Sequence, residues 1–416
     1  VSISARIQAR ILLSTADTFA AMRHANYRIW ASGQFISSIG GWMQNTAQGY
    51  LIYELTQSTA YLGYVGFAWG VPIWLFSLYG GVVADRVSRR AMLMLTNSVL
   101  MSLSFILSIL IFTHTIQPWH ILVTAFISGV ANAFDGPSRN GFVVELVGRE
   151  DLTNAIALNA TIFHLATVMG PAVGGVAYAL LGPGWCFAAN ATAFTAMIYA
   201  LWRIRVPAHA PRVRGASALV ELREGIHYAV ANPTIRVLLI NLAVYAMFGF
   251  SLMTLIPAWA VDVLGGDVRL NGLLLSARGI GSLIAALMIA SLGRRGMRGR
   301  LLNLSTFILP LATLVFAQLR WIPVSLVLIA FMGWGMLVWG NVTNALLQTE
   351  TPDELRGRVM GLFVLLLFGF QPLGALVVGN LAEQIGAPVA ATIYAAIVLV
   401  AALVTWLRAP FFRKLV

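Results

Sequence analysis

The stretch Gly80-Gly81-Val82-Val83-Ala84-Asp85-Arg86-Val87-Ser88-Arg89-Arg90 lies between two long apolar segments, and its reading decides the fold. It places one carboxylate and three guanidiniums within six positions, in a chain where charged residues make up 10% of the total. A short charged turn between apolar runs marks where one helix leaves a membrane and the next re-enters it. The arginines fit two roles, anchoring the turn to lipid phosphates or forming part of a gate. The acid set among them favours the gate.

Outward from this turn the apolar character continues. The 416 residues are 59% hydrophobic, and a soluble protein of this length could not bury so much apolar surface. Repeated runs of about 20 apolar residues indicate a polytopic α-helical membrane protein. Segments of about 10 residues with alternating polarity, expected of a β-barrel, are absent. The net charge of +12 comes from dispersed residues in alternate loops, which argues against nucleic acid as a partner. There are 26 arginines and one lysine, Lys414. The lone cysteine, Cys186, excludes an internal disulfide, and no metal cluster is expected. The early run Ile11 to Met22 is short, holds Asp17 and is followed by Arg23 and Arg28, so no cleavable signal peptide is expected.

Twelve spans are predicted, at 29–53, 59–84, 91–113, 119–146, 154–181, 185–202, 234–262, 270–292, 301–319, 321–348, 358–383 and 388–408. The N-terminus, alternate loops with adjoining helix ends, and the C-terminus hold 24 of the 27 basic residues. The exceptions are Arg269, Arg278 and Arg320. This asymmetry predicts that both termini are cytoplasmic. The expected organisation is a segment 1–28, a six-helix bundle 29–203, a linker 204–233, a second bundle 234–408 and a tail 409–416. In the linker, Leu219, Leu222, Ile226 and Ala229 recur at helical spacing beside Glu221, Arg223 and Glu224. That pattern predicts an amphipathic helix on the cytoplasmic face, either regulatory or a plain tether.

The two halves resemble each other. ELVGREDLTNA from Glu145 is matched by QTETPDELRGR from Gln348. Each is followed by a Gly/Pro motif, Gly170-Pro171-Ala172-Val173-Gly174-Gly175 and Gln371-Pro372-Leu373-Gly374. GRRGMRGR from Gly293 repeats the arginine-rich turn without its acid. Paired six-helix repeats are a plan of secondary transporters, with the site at mid-membrane between the halves.

These residues resemble the major facilitator superfamily over nearly the whole chain. Gly81, Asp85, Arg86, Arg89 and Arg90 match its loop G-x-x-x-D-R-x-x-R-R between the second and third helices. Gly170, Pro171, Gly174 and Gly175 match its fifth-helix antiporter motif. GQFISSIGGWMQNTAQGYLIYELT from Gly33, AFDGPSRN from Ala133, DLTNAIALN from Asp151 and LRGRVMG from Leu355 look like a branch of enterobactin exporters, macrolide pumps and multidrug exporters. The resemblance implies an all-α fold of two pseudo-symmetric six-helix bundles, working as a monomer in the inner membrane. It also implies that Asp85 docks on the positive N-terminal end of the eleventh helix, near Arg356 to Met360, closing the cytoplasmic side.

The resemblance makes the first, fourth, seventh and tenth helices the cavity walls. The first carries Gln34, Ser38, Gly41, Asn45 and Gln48 on one stripe; the fourth carries Thr124, Ser128, Asn132, Asp135 and Arg139. The seventh offers Asn241 and Tyr245, and the tenth Trp334, Asn341 and Gln348. Such residues are either packing glue or cavity wall, and stripes on these helices favour the wall. Asp135 and Arg139, four apart, form either a structural or gating ion pair or a proton-carrying site. His164 is either a packed histidine or a proton carrier. Arg278 either attracts an anionic substrate or snorkels outward. Gly170 and Pro171 give either a leak-tight bend or ordinary small-residue packing. Glu54, Asp262 and Glu383 are expected at the outer interface. Trp42, Trp69, Trp74, Trp334 and Trp339 lie deeper than the interfacial tryptophans, and suit either an aromatic solute or lipid-facing packing.

No G-x-x-x-x-G-K-[ST] loop, H-E-x-x-H or G-x-S-x-G occurs, so neither ATP hydrolysis nor a visible hydrolase site is expected, and no cofactor. The expected activity is proton-coupled export of an amphiphilic small molecule, a drug or siderophore, by alternating access, with protons and the bilayer as partners. An uncoupled facilitator, a lipid flippase or a non-transporting sensor on the same fold stand as alternatives.

Overall fold

A computed structural model of the protein describes residues 19–206, 218–292 and 298–408, without the side chains of residues 78, 82, 84, 85, 218–222, 292 and 298. Residues 1–18 of the expected segment 1–28, the linker stretch 207–217, the turn 293–297 and the tail 409–416 lie outside the described residues, as do the side chains of Asp85, Leu219 and Leu222.

Each predicted span coincides with one long helical segment. These are α1 Ala25–Thr56, α2 Thr59–Arg86, α3 Arg89–Phe112, α4 Pro118–Val147, α5 Leu152–Leu181 and α6 Pro183–Arg203. The second set is α7 Pro233–Val263, α8 Val268–Leu292, α9 Arg298–Gln318, α10 Ile322–Glu350, α11 Asp353–Ile385 and α12 Ala387–Arg408. The bounds differ most at α11, predicted from 358 and beginning at Asp353. In lipid every backbone N–H and C=O needs an internal partner, which selects helices for these apolar runs. Local sequence sets their ends. Pro118, Pro183 and Pro233 open helices where the missing N–H costs nothing. Gly182, at φ 90°, both ends α5 and precedes α6, a conformation open to glycine.

Ten of the described helices are long and apolar enough to cross a membrane by length and composition alone. The two long helices missing from that set are α1 and α4, the helices that carry the densest polar stripes.

The packing repeats with an offset of six helices. In the first half α2 packs on α4, α3 on α4 and α6, and α1 on α5 and α6. In the second, α8 packs on α10, α9 on α10 and α12, and α7 on α11 and α12. The halves join through two antiparallel pairs, α2 with α11 and α5 with α8.

The copies are not identical. α7 is regular from Pro233 to Val244, then passes through a π-helical stretch Tyr245–Phe250, a 3-10 stretch Ser251–Leu255 and a second π-helical stretch Trp259–Val263. Its 3.6-residue periodicity is therefore lost halfway. The linker helix, Ala218–Ala231, packs against the start of α11. Gly225 lies on the Arg358 backbone, and Glu224 pairs with the Arg358 Nη1 at 2.6 Å.

Candidate functional site

The two halves touch at one end. Gly63 faces Gly379, where an added Cβ would stand 2.6 Å from the Ala375 carbonyl oxygen; at Gly70 it would stand 2.0 Å from Pro372 Cγ. In the α5–α8 pair, Gly175 meets Val268 and Gly272, Gly279 meets Thr167, and Ser276 Oγ donates to the Val168 carbonyl at 2.7 Å. These contacts fall in the halves of the helices remote from the linker helix and the Gly80–Arg90 turn. At that turn's end, called here the basic face, an added Cβ at Gly81, Gly136, Gly357 or Gly361 would meet nothing within 4 Å. Close glycine contacts of the kind seen at the far end are thus missing at these four basic-face positions.

Two acids, Glu383 and Asp262, bond across the halves at the far end, and a third, Glu54, bonds within the first half, where the sequence placed simple interfacial residues. Glu383 of α11 caps the N-terminus of α2 across the halves. Its Oε2 accepts from Thr59 N at 2.7 Å, Ser58 Oγ at 2.9 Å, Thr59 Oγ1 at 3.1 Å and Ala60 N at 3.3 Å. A helix N-terminus has free N–H groups and partial positive charge, so a carboxylate there is favoured. Asp262 accepts from Tyr53 across the halves, and Glu54 accepts from Tyr178 within the first half. Tyr64 adds a bond to Asn380 at 3.2 Å.

The Gly80–Arg90 turn divides its labour. Arg89 pairs with Glu145 at 2.8 Å and donates to the Gly141 carbonyl at 3.1 Å, tying α3 to α4. Arg90 donates to the terminal carbonyls of α6, Leu201 O at 2.7 Å and Trp202 O at 2.9 Å. A guanidinium at a helix C-terminus satisfies orphan carbonyls and matches the dipole. These two arginines are internal staples of the first half, not lipid anchors; Arg86 is exposed.

Deeper in the first half, Asp135 of α4 is buried. It accepts from Arg139 Nε at 2.7 Å, Thr96 Oγ1 at 2.8 Å and Asn97 Nδ2 at 3.2 Å. Arg139 Nη2 closes the ion pair at 2.6 Å, and Arg139 Nη1 donates to Gln34 Oε1 of α1. Gln34 Nε2 passes the chain on to Ser38 at 2.9 Å, and the guanidinium lies 5.7 Å from the Trp30 ring. Three helices are thus joined by one polar network. The four-residue spacing predicted the Asp135–Arg139 pairing; the bond to Gln34 of α1 and the partners Thr96 and Asn97 on α3 were not expected. A second cluster, Gln44 Oε1 accepting from Ser104 and Asn190 at 2.7 Å each, was also missed.

Other predicted residues scatter. Asn45 and Asn341 are exposed; Gln48, Ser128 and Trp334 are half-buried. Asn132 donates to the Ser128 carbonyl of its own helix at 2.8 Å. Asn241 and Tyr245 do not line a cavity in this conformation. Asn241 is bonded to Thr405 of α12 at 3.0 Å, and Tyr245 donates to Thr306 O at 2.6 Å while stacked on Trp339 at 4.2 Å. Both are buried in the core of the second half. Both are taken up by bonds inside the second half, which their sequence spacing does not reveal. Gly170 and Gly174 pack on Trp42 and Met43 of α1, and Gly175 on α8, so the Gly/Pro motif around Pro171 forms the joint itself. His164 is buried on α5 with Nδ1 lacking a hydrogen-bond partner. Arg278 lies in the middle of α8, its Cζ 5.4 Å from the Trp42 ring of α1.

Comparison with known proteins agrees with this geometry. The family described as transmembrane secretion effector matches residues 16–413. The staphyloferrin A transporter of Staphylococcus aureus is 26% identical over 363 residues, covering 85% of this chain and 89% of that protein. The multidrug efflux pump Tap of Mycolicibacterium fortuitum is 27% identical, covering 81% of this chain and 84% of the pump. Among solved structures, the nucleoside transporter NupG superposes with a TM-score of 0.72 at 15% identity, over 92% of this chain and 99% of that one. The chain is therefore a multi-pass membrane transporter of a small molecule, not an enzyme, and belongs to the transmembrane secretion effector family of the major facilitator superfamily.

Proposed function

We propose that the protein exports an amphiphilic small molecule in exchange for protons, by alternating access of twelve spans with the basic face in the cytoplasm of an inner membrane. The carrying observation is the buried Asp135–Arg139 pair, tied to Gln34 of α1, with both helices among those expected to wall the central cavity. A titratable group wired to a cavity helix can link its protonation to rearrangement of that helix. His164, buried with an unpartnered ring nitrogen at the α5–α8 joint, is the second proton candidate. Export as the direction, and drugs or siderophores as the substrate class, are carried over from the efflux pump and siderophore transporter among the relatives. The proton gradient drives the cycle, its electrical part supplying about 2.3 kcal/mol per charge per 100 mV.

Asp85 is the latch of the opposite state in this reading. It stands near the end of α2 nearest the start of α11, and would close the basic face by docking on that N-terminus.

Proteoliposomes with an imposed pH difference test the whole reading, using ethidium as probe. Accumulation against its gradient is expected in wild type and lost in Asp135→Asn, with ethidium binding retained. Flux down the ethidium gradient alone would instead support a facilitator, and binding without flux a sensor. If Asp135→Asn pumps normally and His164→Gln does not, the proton role moves to His164.

A further inference from the structure

Folding explains Arg278 least well of all the charged residues described. It lies near the middle of α8, where a charged side chain is costly and needs a partner. None is present: its Nε is buried without a hydrogen-bond partner, and no carboxylate pairs with the guanidinium among the described residues.

The helix fixes where the side chain points. Leu273, Ile280, Ile284 and Leu287 are all exposed and define the lipid-side face of α8. At 100° per residue, Arg278 lies about 150° from the centre of that face. It cannot snorkel to lipid from there. Instead it reaches from the second half to Trp42, at the middle of α1 in the first.

Its surroundings are shaped for an apolar body. Trp42 meets Phe163 of α5 edge-on at 5.9 Å, and Phe163 is 51% exposed. Gly170 admits this wall, since an added Cβ would stand 2.4 Å from the Trp42 Cβ. Gly333 of α10 lies against the Arg278 backbone, where an added Cβ would meet its carbonyl oxygen at 2.1 Å, so the stem of the arginine is held from behind.

We propose that Arg278 anchors the carboxylate of an organic monoanion whose aromatic or apolar body lies along Trp42 and Phe163. The terminal Nη groups of a guanidinium offer charge-assisted donors that match a carboxylate. Aromatic faces accept the rest of the solute and stabilise the cation in its absence. One guanidinium with no second cation beside it matches a single negative charge; a phosphate dianion would leave one unmatched. Because the site spans both halves, its occupant is held by groups that move relative to each other. This inference rests on the transport reading above and names its substrate class.

Equilibrium dialysis of 2-naphthoate and its neutral amide against the purified full chain tests it. The anion is expected to bind at least tenfold more tightly than the amide. Arg278→Gln should erase that difference, Arg278→Lys should keep part of it, and Trp42→Leu should weaken both ligands. Equal binding of anion and amide to wild type, no binding of either, or unchanged 2-naphthoate binding in a monodisperse Arg278→Gln would overturn the site. Should Arg278→Gln fail to fold, the wild-type contrast and Arg278→Lys decide. Ethidium accumulation in proteoliposomes separates the two claims. Pumping without anion binding removes this site and leaves the transport reading; anion binding through Arg278 without proton-driven flux does the reverse.

Discussion

The two ends of the α2–α11 pair are in opposite conditions. At the far end the helices touch through Gly63 and Gly379, and Glu383 caps the N-terminus of α2. At the basic end Gly81 of α2 and Gly357 and Gly361 of α11 face open space. The pair is antiparallel, and each helix carries an acid near its C-terminal end, Glu383 on α11 and Asp85 on α2. Glu383 caps its neighbour's N-terminus. The same physics, a carboxylate on a helix N-terminus, is available at both ends of one joint. With Asp85 as the second latch, as proposed above, one rigid pair gives a device with two states.

Substitutions can break this comparison. Cys186 is fully buried, so a Gly361→Cys background gives a clean reporter of access from the basic face. The largest effect belongs to Gly63→Val. Its side chain would run into backbone at 2.6 Å, so the far end cannot close and transport should fall below a tenth of wild type. Normal transport by this variant would dissolve the joint.

Glu383→Ala comes next. The carboxylate is exposed and screened, so its bonds are worth ~1 kcal/mol, and maleimide labelling of Gly361→Cys should drop about fivefold as the basic face closes more often. Tyr53→Phe removes one bond to Asp262 and should shift labelling the same way by about twofold to threefold. A rise in labelling in either variant would contradict the assignment of the far end as the closed one.

Gly81→Ala should do least to this state. The added methyl meets nothing, so labelling is expected to stay within about twofold of the parent, changes at such sites being within ±0.5 kcal/mol. Turnover should nevertheless fall if this end closes on α11 later in the cycle; unaltered turnover would mean that Gly81 never enters a joint.

The helices were legible because about 20 apolar residues and a capped end are local signals. The α1 and α4 stripes led to Gln34, Ser38, Asp135 and Arg139 for the same reason: spacing of three and four reveals a shared face. What that face meets is not local. Thr96 and Asn97 complete the Asp135 site from α3, where nothing marks them among other small polar residues. Asn241 and Tyr245 bond to Thr405 and Thr306 of α12 and α9, partners that the spacing on α7 does not reveal. Glu383 looked like any acid at a helix end; its role depends on the antiparallel neighbour. For Arg278, a helix with apolar residues on every side left inward and outward equally open, and the exposed face of α8 decided it. The Asp85 motif was the plainest in the sequence, yet the spacing of Arg89 and Arg90 did not reveal that they bond to α4 and α6.

The alternation of the two latches can be measured directly by the rate of maleimide labelling at Gly361→Cys in two further variants. Glu383→Ala should slow labelling from the basic face, while Asp85→Asn should leave it equal or faster and impair transport. Labelling that moves in the same direction in both variants would contradict a joint that closes at one end at a time.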